Sequence, residues 1–246
     1  MVGSLVLIVG LCFVLLAAAT DWAAAKAPLE VEIWLGKQAL LQFPADENPA
    51  LKQQLQALLD KLPSDSPLQQ YNFQIYLAQT DEVNAMALPG GNIVVFSGLL
   101  QQVQSENELA MILAHELGHF SHRDHLRGLG RGLGIAVATI MFLGENSAAS
   151  ELISNALLNF QVRYSQAQES AADQFGLQLL VKRYGHAGGG SDFFSRIAEQ
   201  TEGFSPSLLA SHPDPQKRIE QLRELIQTEN YLLKATLPLP AELLPV

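Results

Sequence analysis

The chain has 246 residues, 48% of them hydrophobic and 16% charged, with a formal net charge of −10. That length allows one sizeable domain or two small ones, and the acidic balance excludes a nucleic-acid role built on a basic surface. Cys12 is the single cysteine, which excludes an intrachain disulfide.

Met1 to Thr20 carries no charged side chain, and its heart is Leu5-Val-Leu-Ile-Val9 and Leu11-Cys-Phe-Val-Leu-Leu16. A span of about 20 apolar residues crosses a bilayer, and Trp22 follows where an interfacial aromatic sits. Residues 1–26 therefore form a membrane anchor or a secretory signal, with small-residue cleavage sites near Ala17-Ala18-Ala19 or Ala23-Ala24-Ala25. The basic stretch that opens a signal is missing, which favours an anchor inserted through residues 1–22.

Residues 27–246 form the folded domain. Leu29 to Gln42 alternates in part and predicts a short extended lead-in containing Trp34. Leu51, Leu55, Leu58, Leu59 and Leu62 recur at helical spacing over 48–62, with Pro49 suited to the first turn. Three strands follow, at 71–77, 83–88 and 92–96, the last two joined by the Pro89-Gly90-Gly91 turn. They predict a small antiparallel sheet. Ser97 is placed to cap a short helix reaching Val103. Ser105 is placed to cap the next helix, with Glu108 completing a capping box. No Lys or Arg lies between Lys61 and Arg123 while six acids do, which predicts an electronegative half. Helices are predicted over 127–143, 147–160, 165–184 with Gly185 as the stop, 191–202 and 213–227. The apolar run Ile135 to Leu143 is too short to span a membrane and predicts a buried core helix. Leu237 to Val246, spaced by prolines, is expected to be a peripheral extension.

The chemistry concentrates in His115-Glu116-Leu117-Gly118-His119. Helical residues four apart share a face, so the two imidazoles converge and can hold a zinc ion. Glu116 lies beside them, able to take a proton from a water on that metal. A catalytic zinc needs a third protein ligand and an open position. His125 stands at the spacing of H-E-x-x-H-x-x-G-x-x-H, but His122 replaces the glycine that turns the chain, and Met141 sits in no turn. His122 and His125 suit the negative end of the helix instead. The other choice is Glu169, with Asp173 four residues on and able to orient a ligating histidine. Ala171 and Ala172 between them permit close helix approach.

Asn84-Ala-Met-Ala-Leu-Pro-Gly-Gly91, His115-Glu-Leu-Gly-His119, Tyr164-Ser-Gln-Ala-Gln-Glu-Ser-Ala-Ala-Asp173 and Ser211-His-Pro-Asp-Pro-Gln-Lys-Arg218 follow one another in that order. Together they resemble peptidase family M48, the HtpX-, Oma- and CAAX-prenyl-protease-like membrane zinc endopeptidases, over roughly Glu30 to Leu225. Met86 stands where the family usually has Phe, and Gln166 where Arg is common. The resemblance implies one Zn2+ per subunit on His115, His119 and Glu169, with Glu116 as general base. It also implies catalytic roles for His212 and Arg218, His212 acting as an oxyanion donor that Arg218 holds. In the resting enzyme His212 could fill the open zinc position. Asn84, Ala85, Met86 and Ala87 are the expected edge strand, pairing with an extended substrate through main-chain bonds.

The expected fold is α+β: a mostly helical gluzincin-type domain with a small antiparallel sheet behind an N-terminal helix. The expected activity is membrane-associated zinc endopeptidase. Its partners are polypeptides, misfolded membrane or envelope proteins above all, with the domain on the periplasmic or extracytoplasmic side. The rival is a membrane-tethered chaperone or binding module whose zinc is not catalytic. Such a module has no need of an acid at Glu116.

Overall fold

The structure, a computed structural model, describes residues 26–128, 164–199 and 206–244. The N-terminal apolar segment, and almost all of the helices expected over 127–143 and 147–160, lie outside those residues. Among the described residues no helix is long and apolar enough to cross a membrane.

The first element corrects the sequence reading. Leu29–Leu40 is a helix, α1, not an extended lead-in. Its buried stripe is Glu32, Leu35, Gly36 and Ala39, which is helical spacing. Two of those four residues are a carboxylate and a glycine, so the stripe carries no apolar period. The β-prone residues Val31, Ile33 and Trp34 stand out instead.

The sheet is mixed rather than antiparallel. Its strands are β1 (Ala45–Glu47), β2 (Gln74–Ala78), β3 (Ala85–Leu88) and β4 (Asn92–Phe96), in the order β1-β2-β4-β3. β2 and β4 pair in parallel, Ile75 opposite Ile93, while β3 folds back on β4 antiparallel. β1 was not foreseen. The sheet is covered on both faces. Ile93 and Val95 enter the main core, while Val94 and Phe96 pack beside Leu35 and Ala39 of α1. A strand buried on both sides loses its polar alternation, which is why Asn92–Phe96 is so apolar.

Helix α2 (Pro49–Leu59) starts as expected, Asn48 capping it by accepting from the Leu51 N–H. Ser97 does not cap α3 (Ser97–Gln102), whose cap position is Phe96. Its hydroxyl instead donates to the Thr80 carbonyl and accepts from the Thr80 N–H. Helix α4 (Glu106–Ser121) is the centre of the domain, buried from Asn107 to Phe120. The Ser105 hydroxyl accepts from the Glu108 N–H. Glu108 reaches back one residue further than a capping box requires, to the Gln104 N–H. A short α5 (Asp124–Gly128) follows.

Helix α6 (Gln166–Tyr184) lies along α4. It opens with the reciprocal capping box of Ser165 and Gln168 and closes at Gly185 in the left-handed region. The two helices touch at backbone distance, because a Cβ on Gly118 would stand 2.8 Å from Cα of Ala172. Helices α7 (Asp192–Glu199), α8 (Pro206–Ser211) and α9 (Pro215–Thr228) complete the fold.

The C-terminal tail is not peripheral. The Leu237 carbonyl accepts from the Glu106 N–H, one of the donors a helix start leaves unpaired. The Leu237 N–H donates to Asn107, and Leu239 and Leu243 are buried in the core. The tail therefore closes the N-terminus of α4.

Candidate metal centre

His115 and His119 leave α4 one turn apart, and their Nε2 atoms lie 3.0 Å from one another. Glu169, in the first turn of α6, faces them. Its Oε1 is 3.4 Å from His119 Nε2 and its Oε2 is 3.7 Å from His115 Nε2. His212, between α8 and α9, completes the group: its Nδ1 is 3.0 Å from Glu169 Oε1 and 3.3 Å from His115 Nε2. One ligand atom from each of the four lies within 4.8 Å of the others, and all four residues are buried.

The set fits a zinc ion. Zinc bound tetrahedrally at about 2.0–2.1 Å keeps its donors about 3.3–3.4 Å apart. The separations above bracket that value. Two imidazoles, a carboxylate and a third imidazole are also donors that zinc accepts.

Each α4 imidazole is held from behind. His115 Nδ1 donates to Asp173 Oδ1 at 2.8 Å, which leaves Nε2 with its lone pair toward the shared point. Asp173 also takes two bonds from Arg218, Nε to Oδ2 at 2.8 Å and Nη2 to Oδ1 at 2.6 Å. Arg218 Nη1 reaches Glu169 Oε2 at 3.0 Å. Arg218 therefore braces the two carboxylates, and its bonds do not go to His212 as the sequence reading expected. Phe194 lies against the guanidinium, 4.2 Å from ring centre to Cζ.

His119 Nδ1 donates to Asp124 Oδ2 at 3.2 Å, and the Gln168 amide donates to the other Asp124 oxygen at 2.8 Å. The Tyr164 ring stacks on His119 at 3.6 Å. Asp124, Gln168 and Tyr164 had no assigned part in the sequence reading. Asp124 left no signal of its own, because it lies past the end of α4 and opens α5, where an acid is an ordinary helix-start residue.

The electrostatics follow from these partners. Burial pushes Asp173 up, but the Arg218 charge and its hydrogen bonds bring it down to about 2. Burial pushes Glu169 up too, and His212 and Arg218 hold it well below the usual carboxylate range. Burial and the Arg218 charge lower His115. For His119 the Asp124 and Glu169 carboxylates outweigh burial and raise it to about 9. Two of the six acids of the expected electronegative half are paired with arginines within the fold. Glu106 pairs with Arg183 at 2.8 Å and Glu108 with Arg196 at 2.6 Å.

His125 is not in the group. It is buried, with its ring 4.4 Å from that of Phe120 and its Nε2 3.1 Å from a Glu32 oxygen. His122 folds back to the Gly118 carbonyl. The choice left open between His125 and Glu169 falls to Glu169.

Glu116 lies beside the donors, with its Oε1 3.9 Å from His212 Nε2 and its Oε2 without a protein partner among the described residues. It opens on a narrow cleft lined by Ala85, Leu99, Ile112, Phe193, Phe194 and Leu208. Ala85 belongs to β3, one of the two terminal strands of the sheet. Asn84, just before it, is buried, its carbonyl accepting from the Phe96 N–H and its side chain from the Ala85 N–H. Ala87 is buried and Met86 partly so.

The family model of peptidase family M48 matches residues 45–226. The chain is 27% identical over 218 residues to a beta-barrel assembly-enhancing protease of Yersinia pestis, covering 82% of this chain and 45% of that protein. It is 28% identical over 192 residues to the metalloprotease LoiP of Escherichia coli, covering 75% of this chain and 74% of the other. It is 29% identical over 172 residues to the mitochondrial metalloendopeptidase OMA1 of Schizosaccharomyces pombe, covering 68% of this chain and 50% of the other. The chain thus spans less than half the length of the assembly-enhancing protease. With the matched region running from the first strand through the buried donors to the last helix, the chain belongs to peptidase family M48.

Proposed function

We propose that the chain is a membrane-anchored zinc metalloendopeptidase that cleaves misassembled membrane or envelope proteins on the extracytoplasmic side. The observation that carries this reading is the placement of Glu116. Its unpartnered oxygen lies between a fitting zinc-ligand set and a cleft that ends at a terminal strand. The names of the relatives, among them a protease that enhances β-barrel assembly, support the substrate class.

His115, His119 and Glu169 would hold one zinc ion. Bound there, zinc supplies Lewis acidity, polarising the scissile carbonyl and acidifying the attacking water. Glu116 takes the proton of that water and returns it to the leaving amine. Asp173 and Asp124 keep both imidazoles in the tautomer that presents Nε2. Substrate lies extended along β3, from Asn84 to Ala87, through main-chain bonds. His212 would serve as a fourth donor in the resting state, and would have to leave the group for water and substrate to enter. Once displaced, it donates to the developing oxyanion. Arg218 serves by fixing Glu169 and Asp173.

The closed, four-donor arrangement favours one second reading, a structural zinc site in a binding module, since structural sites have no open position. Glu116 separates the two. Metal content and casein cleavage are measured on the wild type and Glu116→Gln. The protease reading expects one zinc in both proteins and at least about a thousandfold loss of cleavage in Glu116→Gln, within the combined reach of acid–base catalysis and water activation. Equal cleavage by the two proteins ends it. A topology reporter fused to the C-terminus tests the membrane side.

A further inference from the structure

Glu32 is a carboxylate that the proposed mechanism does not use, brought to the foot of the metal centre by α1. It is 1% exposed. It accepts from the Tyr71 hydroxyl at 3.0 Å, pairs with His125 Nε2 at 3.1 Å, and forms an ion pair with Arg123. Arg123 also donates to the Ala27 carbonyl at the base of α1. Burial pushes Glu32 up, but His125, Arg123 and Tyr71 together keep it below its ordinary value, so it is a charged group in the core. Burying a charge is costly unless it is fully paired, and here it is paired on three sides.

What it grips is specific. Arg123 and His125 are the two neighbours of Asp124, and Asp124 orients His119. Arg123 has φ of 56°, the left-handed region that a residue with a Cβ avoids. That conformation reverses the chain after α4 and aims Asp124 back at His119 Nδ1. Backbone bonds from the Arg123 N–H to the Phe120 carbonyl and from the Leu126 and Arg127 N–H groups to the Arg123 carbonyl shape the turn, and the grip of Glu32 on both neighbours adds to them. The His125 ring is fixed as well, against Phe120 and Tyr71, whose own rings meet edge on at 5.4 Å.

We propose that Glu32 is a positioning residue of the metal centre. By clamping Arg123 and His125 it sets Asp124, and through Asp124 the His119 imidazole, so that α1 determines how tightly the domain holds its metal. This rests on the reading that His119 is a zinc ligand. It ties the helix that follows the N-terminal segment to the chemistry.

The test is zinc affinity, measured by competition with a chromophoric chelator. The proteins are the wild type, Glu32→Gln, Asp124→Asn and the double variant, each checked for folding by near-ultraviolet circular dichroism. Loss of an outer partner of a ligating histidine weakens zinc binding by about 10- to 100-fold, and Asp124→Asn falls in that range. Glu32→Gln is expected at its lower end, about tenfold. Because the two residues act in series, the double variant binds within about twofold of Asp124→Asn alone. Glu106→Gln removes a partly buried ion pair with Arg183 that lies outside the metal centre, and it keeps the wild-type zinc constant whatever it does to melting temperature. Zinc affinity of Glu32→Gln within about twofold of wild type, or losses that simply multiply in the double variant, overturns the proposal. Should Glu32→Gln not fold, Arg123→Met is read by the same two outcomes. A wild-type chain that takes up no zinc overturns the metal-centre reading itself, a result distinct from failure of the Glu32 assignment.

Discussion

His115 and His119 share a helix and a ligand point, yet the two are held by different means. Behind His115 stands Asp173, delivered by α6 and charge-balanced by Arg218. Behind His119 stands Asp124, five residues away in the same chain segment, held by the neutral Gln168 amide and, more loosely, by the solvent-exposed Arg127 guanidinium at 3.8 Å. The unequal backing shows in the imidazoles. The Arg218 charge adds to burial in lowering His115, while against burial the Asp124 and Glu169 carboxylates raise His119 to about 9. The cation behind Asp173 is buried with it, whereas the one beside Asp124 is half in solvent and screened. The lesson is that two chemically equal ligands reach one site through different energetics, one by long-range charge pairing and one by a local turn.

Replacing Asp173 strikes the charge-paired side. Asp173→Asn leaves Arg218 buried with half its partners, and breaking a buried pair costs about 3–5 kcal/mol. Urea unfolding of the metal-free protein is expected to show a loss of that order. A loss below about 1 kcal/mol would mean that the two sides are equivalent after all.

Acid probes the same side without mutation. The folded-state value of Asp173 is about 2, below its ordinary 3.8. A depressed carboxylate contributes stability that is complete above its unfolded value and is lost as pH falls through the folded one. The window is therefore from about pH 5 down to about pH 1, and such a shift is worth roughly 2–3 kcal/mol. Metal-free wild type should lose that increment on acidification, and Asp173→Asn should not.

The smallest expected effect on stability is on the other side. Asp124→Asn keeps one oxygen for His119 but turns its amide NH2 toward the Gln168 amide donor, so the fold loses only about 1–2 kcal/mol. Its zinc affinity nonetheless falls about 10- to 100-fold, because an amide no longer offsets the charge that metal induces on the imidazole. Melting curves and chelator competition on one preparation separate the two quantities. A large loss of stability with unchanged zinc affinity would reverse the comparison.

The two sides were also unequally legible before the fold was known. Glu169 and Asp173 stand out as two acids one helical turn apart beside small residues, and α6 carries both to His115. Asp124 stands among His122, Arg123 and His125, where nothing in the order of residues says which way it points. Its direction comes from the left-handed turn at Arg123 and from Glu32 more than ninety residues upstream. Arg218 was legible as a functional arginine but not as the partner of Asp173 and Glu169.

By itself, the sequence determined the elements whose signals are local. Those are the helix through His115 and His119, the helix through Glu169 and Asp173, and the stop at Gly185. Only the tertiary structure decided the parallel pairing of β2 with β4, the helical state of α1, the docking of the tail on α4, the bracing role of Arg218 and the burial of Glu32. The physical reason is range. Periodicity and capping act within one turn of chain. Strand partners, buried ion pairs and the direction of a loop carboxylate depend on groups that are neighbours only after folding.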